Sequence, residues 1–156
     1  MINTMVTCLG IEHRKLYGLN MQLAFAANRH AGDACTITAN QKALQVWDEI
    51  RHDLWSHLQI EDALVFSWGK AQQAIPGMLL DSLKNERQQM RQLIAAMHAL
   101  SPGVEREPQS AGDRMAFAQT LVALARTLDS HVERYDGEVL PSILHANLHG
   151  WHSPSV

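Results

Sequence analysis

A histidine and a glutamate spaced four residues apart, His57 and Glu61, are the feature that most constrains how this chain folds. Residues four apart are neighbours on one face of a helix, and this face is otherwise apolar. Its other members recur at alternating steps of three and four residues, as in the seam of a helical bundle, and they are Ile50, Leu54, Leu64 and Trp68. A carboxylate buried in such a seam without a partner costs several kcal/mol. Other helices must therefore bring compensating groups to the depth of Glu61.

The composition is that of an ordinary soluble globular protein. The chain has 156 residues, 46% of them hydrophobic and 19% charged, which is enough for a single domain with an apolar core. The net charge of −3, with acids and bases interspersed, argues against a surface for nucleic acid or anionic membranes. No apolar run approaches the roughly 18–20 residues of a membrane span, and Met1–Leu9 lacks the features of a signal peptide. Cys8 and Cys35 do not form a CxxC pair, so a reducing cytoplasm is expected.

Four long segments carry helical periodicity, and the connections between them are polar or contain Gly and Pro. We designate them A, about residues 4–30, B, about 40–72, C, about 78–100, and D, about 113–147. The predicted connections are the linker 31–39, the break Ile75-Pro76-Gly77 and the loop 101–112. Asp113 suits the N-cap of segment D, and Pro141 is expected to bend the last turns of that segment.

Four amphipathic helices with short connections predict an all-α fold, an antiparallel up-down-up-down four-helix bundle. The bundle is expected to occupy residues 1–147 as one domain, and residues 148–156 are expected to form a C-terminal tail. No segment has the strict alternation of a β-strand, so we expect no sheet.

Each predicted helix carries side chains able to bind metal at a similar distance from one end of the bundle. His13 and Glu86 lie roughly nine residues after the starts of A and C, whereas Glu61 and Asp136 lie about eleven residues before the ends of B and D. At about 1.5 Å per residue, all four levels fall roughly 13–17 Å from the same end of an antiparallel bundle. Six side chains are therefore predicted to meet in one layer of the core and to act as metal ligands: His13, His57, Glu61, Glu86, His131 and Asp136.

Neutral imidazoles and ionised carboxylates together suit Fe, Mn, Zn or Cu better than Mg or Ca. Six such ligands exceed what one tetrahedral ion needs, and two ions bridged by carboxylates use them all. A cation would also offset the desolvation of the buried acids. The donor set therefore predicts a pair of metal ions as the cofactor and leaves Fe, Mn, Zn and Cu open.

At these residues the chain resembles the hemerythrin-like, HHE cation-binding family. The matching pieces are Ile11-Glu12-His13, His57-x-x-x-Glu61-Asp62, and His131-x-x-x-x-Asp136 followed by Val139-Leu140-Pro141. The resemblance covers nearly the whole chain as a plan of four helices. It implies that His13, His57 and His131 are terminal ligands and that Glu61 and Asp136 bridge two irons.

Segment C departs from the family pattern, which commonly has one or two histidines there. The inward positions of this chain are instead Glu86 and Met90, flanked by Arg87. Arginine stays protonated and cannot ligate iron, and a thioether suits ferric iron poorly. Glu86 or Tyr135 is left to complete the set. The departure leaves open a site with one ion, a different metal, or a site that no longer binds metal.

Several other residues have simpler explanations than metal binding. Glu12 and Asp62 are expected to face outward or to orient an imidazole. His52 lies in a single Glu49-x-x-His52 pattern and is expected on the surface, and Met90 is most simply core filling. Trp55, if exposed, would indicate a surface for a second copy of the chain.

Three functions follow as alternatives. The first is a metal-binding protein that senses, binds or stores O2, NO or iron, and it predicts no catalytic residues, in keeping with the lack of a recognisable base for a substrate cleft. The second is an enzyme on the same site, a di-iron oxidase or a catalyst that consumes peroxide. The third is a metal-free regulatory or interaction bundle. A haem site using Met90 and His131 is a weaker fourth. In all of them no nucleic-acid or membrane partner is expected, and a homodimer is left open.

Overall fold

Four helical rods form the fold in a computed structural model that describes residues 2–31, 37–71, 73–105 and 111–149. The first rod is α1 (Ile2–Ala31), and the second is α2 (Ile37–Glu61) continued by a π-helical segment, Asp62–Gly69. The third rod is α3 (Gly77–Glu105). The fourth is α4 (Ala111–Arg134), a second π-helical segment (Tyr135–Val139) and α5 (Leu140–His149). The rods pack with α1 between α2 and α4, and with α3 against α4 and α2. The predicted all-α bundle is confirmed.

Several predicted boundaries were wrong by a few residues. Segment B begins at Ile37, and α4 begins at Ala111, so Asp113 lies in the first helical turn, where its charge favours the helix dipole, and is not the N-cap. The predicted loop after residue 100 was wrong in its first half, because α3 continues through Pro102 to Glu105. Val104 explains the extension, since it is 1% exposed and packs in the core.

The break between segments B and C is confirmed. The helical conformation ends before the turn at residues 73–76, where Gln73 has a positive φ of 52° and Ala74 N–H donates to the Gly69 carbonyl. The predicted linker residues 32–36 and the tail residues 150–156 lie outside the described residues, and the domain boundary at 147 stays a prediction. No helix in the described ranges is long and apolar enough to cross a membrane.

The π-helical segments correct the predicted stripe of the second rod. A π-helix makes i→i+5 hydrogen bonds, as Lys70 N–H does to the Val65 carbonyl. The wider turn shifts the phase of the buried face after Glu61. Val65 and Gly69 are therefore buried, whereas Trp68, which the stripe predicted as buried, is only partly covered.

Two apolar clusters fill the bundle, and a layer of polar side chains separates them. The large cluster contains residues from all four rods, among them Leu16, Leu54, Met90 and Leu128. The small cluster lies towards the other end, and it contains Leu9, Leu64, Leu83, Tyr135 and Val139 among its buried members. On every rod the metal-capable residue falls between a member of the large cluster and a member of the small one. The polar layer thus has apolar packing on both sides.

Arg87 fixes α3 against the first π-helical segment. Its side chain is almost fully buried, and Nη2 donates to the Leu58 carbonyl at 3.2 Å. Nη1 lies 2.7 Å from Asp62 Oδ1, and the guanidinium stacks over the Phe66 ring at 4.9 Å. Asp62 is itself half-exposed, so it faces outward, as one of the two alternatives predicted.

We expect Arg87→Met to lower the free energy of unfolding by about 1.5–3 kcal/mol, because a buried hydrogen bond from a charged donor is lost. Arg91→Met is the matched control. Arg91 lies one turn further along α3, is half-exposed and reaches the same Asp62 only at 4.0 Å, so its replacement should change stability by about 0.5 kcal/mol or less. Urea denaturation measures both. Equal losses of stability in the two variants would contradict the proposal that Arg87 holds α3 against the first π-helical segment.

Candidate metal centre

Four buried side chains from three helices bring one ligand atom each to a common point. His13 comes from α1, His57 and Glu61 from α2, and His131 from α4, and their ligand atoms all lie within 4.8 Å of one another. Their side chains are at most 1% exposed. The spacing of four residues places His57 and Glu61 on one face of α2, and packing of α1 and α4 against α2 supplies the other two imidazoles. The structure thus brings together four of the six predicted ligands, and that they bind metal stays a prediction.

The inward-facing atoms approach one another without pairing well. Glu61 Oε1 lies 2.9 Å from His57 Nε2 and 2.7 Å from His131 Nε2, and the two Nε2 atoms are 3.2 Å apart. Even so, within the described part of the chain neither oxygen of Glu61 has a hydrogen bond of good geometry, and His13 Nε2 has no hydrogen-bond partner. Buried polar atoms are normally satisfied. A cation at the point where these atoms converge would satisfy them together, so the residues present fit a metal ion.

Each imidazole is held from behind by a carboxylate. The Nδ1 atom of His13 bonds Asp136 Oδ1 at 2.8 Å, that of His131 bonds Glu86 Oε1 at 2.7 Å, and that of His57 bonds Glu12 Oε2 at 3.3 Å. An Nδ1–H that donates to a carboxylate leaves the lone pair on Nε2, which is the form that ligates metal. Glu12 thus orients an imidazole, the second of its two predicted alternatives. The arrangement is typical of histidines that bind metal in proteins.

Two of the six predicted ligands, Glu86 and Asp136, lie outside the converging group. Asp136 is 54% exposed. Glu86 places Oε2 3.4 Å from Arg134 Nη1, and Arg134 also bonds Ser82. Sequence reasoning missed Arg134, because only the register between α3 and α4 brings it to Glu86. The structure shows each acid hydrogen-bonded to the outward-facing nitrogen, Nδ1, of a histidine. That either acid ligates metal directly stays a prediction.

The family comparison agrees with this geometry. Residues 4–143 match the family model described as the hemerythrin HHE cation-binding domain. The chain belongs to this family. Comparisons with curated proteins and with solved structures gave no significant match. The fold of this HHE domain is therefore the hemerythrin-like bundle that the resemblance implied, and a cation-binding site is what the family name describes.

Burial and charge set the protonation of the inner residues of the HHE domain. Burial alone lowers the pKa of His131, but the carboxylates of Glu61 and Glu86 outweigh it and raise this pKa to about 9. Burial raises the pKa of Glu61, but His131 and His57 outweigh it, and the net pKa lies well below the usual range. For His13, burial exceeds the opposing effect of Asp136, so its pKa is lowered. His131 and Glu61 therefore form a buried ion pair. A metal cation that binds there would have to displace the proton from His131.

Tyr135 completes the inner surface of the site. It lies one helical turn after His131 and is fully buried, and among the described residues its hydroxyl has no hydrogen bond of good geometry. Its ring centroid is 4.5 Å from that of His131 and 5.5 Å from that of His13. Burial, followed by the charge of Glu61, raises the pKa of the phenol above its ordinary value.

The remaining candidates lie elsewhere. Met90 is buried within the large cluster, and His52 lies on the surface of α2. Trp55 is 55% exposed, which keeps the predicted homodimer as a prediction. Two surface clefts of about 380 Å³ each reach the outer acids. One is lined by His13 and Asp136 between α1 and the fourth rod, and the other is lined by Glu86 and Arg134 between α3 and α4.

We expect Glu61→Gln to lower the pKa of His131 from about 9 towards its ordinary 6.5 in the metal-free protein, because the neighbouring negative charge is removed. A folded-state pKa above the unfolded value stabilises the fold fully below pH 6.5, and this contribution is lost as the pH rises through about 9. The stability advantage of the parent chain over the variant should therefore shrink over that interval. NMR titration of ¹⁵N-labelled histidine rings and urea denaturation at each pH measure the two effects. An unchanged His131 titration would contradict the ion pair.

Proposed function

We propose that this HHE domain is a non-haem iron protein that binds O2 or NO at a metal held in the centre of its bundle. The observation that carries the proposal is the convergence of three imidazoles and Glu61 within 4.8 Å, with a carboxylate behind every imidazole. A structural hydrogen-bond network would not leave His13 Nε2 and both Glu61 oxygens without well-formed partners in the middle of a core.

The donor chemistry supports a transition metal. Imidazole nitrogens with one carboxylate suit Fe, Mn or Zn, whereas Mg and Ca prefer sites made of oxygen atoms alone. The family resemblance favours iron among these. When bound, iron supplies an exchangeable coordination position and a redox electron, which are what O2 and NO require of a binding site.

The geometry supports a centre of one ion better than a centre of two. Glu86 and Asp136 each already hold an outer nitrogen, so the donors left inside are three imidazoles and Glu61. A second ion would require one of the acids to leave its histidine and turn inward. The two-iron site implied by the resemblance is thus distinguishable from a one-iron site by the role of Asp136.

Binding of a small ligand fits this chain better than conversion of a larger substrate. The four inner side chains are at most 1% exposed. Of the two clefts that approach them, one ends on Glu86 and the other reaches Asp136 and the edge of His13. A molecule of two or three atoms can reach a metal buried to this extent through small fluctuations of the helices, whereas a larger substrate cannot. O2, NO and peroxide are the ligands of suitable size.

We expect the purified chain to retain iron through dialysis and to gain about 2.7 kcal/mol of stability when free Fe(II) is at 100 times its Kd. His57→Ala should lose the retained iron and this gain, because an inner donor is removed. His52→Ala is the matched control, since His52 is an exposed histidine on the same helix. Metal analysis by mass spectrometry and thermal unfolding measure the result.

The same samples test the ligand. Anaerobic Fe(II) protein should change its visible and paramagnetic resonance spectra when NO is added, and the His57→Ala variant should not. A parent chain that retains no iron and gains no stability from it would overturn the proposal. Turnover of peroxide by the iron-loaded protein at an enzymatic rate would favour the enzyme alternative over a binding protein.

We expect Asp136→Asn to weaken iron binding by roughly 10–100-fold while leaving the metal-to-protein ratio unchanged, because the residue orients His13 and lies outside the converging group. Glu138→Gln, an exposed acid in the same π-helical segment, is the control. Calorimetric titration with Fe(II) gives both affinity and ratio. A fall in the ratio from two ions to one would show instead that Asp136 bridges two irons.

A further inference from the structure

Tyr135 is the one inner side chain that the proposed centre leaves unexplained. A buried hydroxyl without a partner costs free energy, and a tyrosine kept fully inside a core normally finds a partner for its oxygen. Among the described residues this oxygen has no hydrogen bond of good geometry, and the Glu61 carboxylate is the acceptor that acts on it. Its surroundings are the converging donors themselves, since its ring contacts those of His13 and His131 and the carboxylate of Glu61 influences its pKa.

The third rod supplies no competing ligand. Glu86 directs Oε1 to His131 Nδ1 at 2.7 Å and Oε2 towards Arg134 at 3.4 Å. Met90 packs with the leucines of the large cluster. Arg87 donates a hydrogen bond to the Leu58 carbonyl and forms an ion pair with Asp62. A further donor would therefore come from another helix, and Tyr135 is the buried side chain that contacts His13 and His131 and whose oxygen lacks a hydrogen bond of good geometry among the described residues.

We propose that Tyr135 is a further metal ligand, binding ferric iron through its phenolate oxygen beside the three imidazoles and Glu61. The inference rests on the proposed function, because it needs iron in the centre. On binding, the phenol O–H bond breaks, an O–Fe bond forms, and the proton is released to solvent. A ferric ion in contact reverses the preference of a buried phenol for its protonated form, because its positive charge stabilises the phenolate.

A phenolate ligand would also change the relative affinity of the site for different metals and oxidation states. It is a hard, anionic donor, and such donors favour Fe(III) over softer or lower-charged ions. Together with Glu61 it places two negative charges on the ion, which compensates most of the charge of Fe(III) in a site with apolar packing on both sides. The centre should therefore bind Fe(III) more tightly, relative to Zn(II), than a site of three imidazoles and one carboxylate does.

The test compares Tyr135→Phe with Tyr17→Phe. The chain has two tyrosines, and Tyr17 is 53% exposed on α1, so it is a matched control for loss of a hydroxyl. The iron-loaded, oxidised parent chain should show a visible phenolate-to-Fe(III) charge-transfer band. Tyr17→Phe should retain this band, and Tyr135→Phe should lose it while retaining Fe(II) bound to the remaining donors.

A second measurement avoids any change to the site. Ring-deuterated tyrosine incorporated into the Tyr17→Phe protein labels Tyr135 alone, and it leaves shape and packing intact. The resonance Raman bands excited within the charge-transfer transition should shift on deuteration if this phenolate is the ligand. The result stands even if Tyr135→Phe folds poorly.

The outcomes separate the two proposals. A parent chain that binds no iron overturns the proposed function itself. A parent chain that binds ferric iron but shows no phenolate band, or bands that do not shift on deuteration, overturns the role of Tyr135 and leaves the iron site standing. Retention of the band in a folded, iron-loaded Tyr135→Phe protein overturns it equally.

Discussion

The burial of the Glu61 carboxylate between two apolar clusters is the constraint on which the rest of this structure depends. A charge in that position has to be matched at close range, and His57 and His131 match it from 2.9 and 2.7 Å. His57 is supplied by the same helix, but His131 requires α4 to lie beside α2 at one particular register. The polar layer therefore has a structural role that does not depend on a metal. It fixes how far each rod can slide along its neighbours, because a shift of one turn would leave a buried carboxylate facing leucines.

The polar groups of the site are arranged in successive layers that lead from the centre to the surface. The inner nitrogens face one another, the outer nitrogens bond Glu12, Glu86 and Asp136, and Glu86 in turn reaches Arg134. The carboxylates thus satisfy the outer nitrogens of the imidazoles, and Asp136 and Arg134 are partly exposed at the surface. Such an arrangement holds imidazoles in the orientation and tautomer that a metal needs before the metal arrives. It also means that the clefts beside Glu86 and Asp136 touch groups directly bonded to the inner histidines.

Two π-helical segments begin immediately after ligand-bearing turns. One follows Glu61, and the other begins with Tyr135. π-helical turns are uncommon and are often found at functional sites, since each adds a residue to a turn and re-aims the side chains that follow. In these two rods the polar residues of the layer come before or at the start of the π-helical segment, and the residues buried after it are apolar. Arg87 packs against the first of these segments and holds it to α3.

The sequence by itself determined the helical fold and the inner histidines, because the spacing of apolar residues reports which face of a helix is buried and His13, His57, Glu61 and His131 fall on those faces. It also indicated that these four meet, since their distances from the helix ends are similar in an antiparallel bundle. Only the tertiary structure decided which nitrogen faces inward, that Glu86 and Asp136 contact the outer nitrogens, and that Arg134 joins Glu86. These depend on rotamers and on register between rods, which local periodicity does not encode. The change of phase after Glu61 was unpredictable for a similar reason, because a π-helical turn arises where packing against a neighbouring helix outweighs the local preference for α-helix.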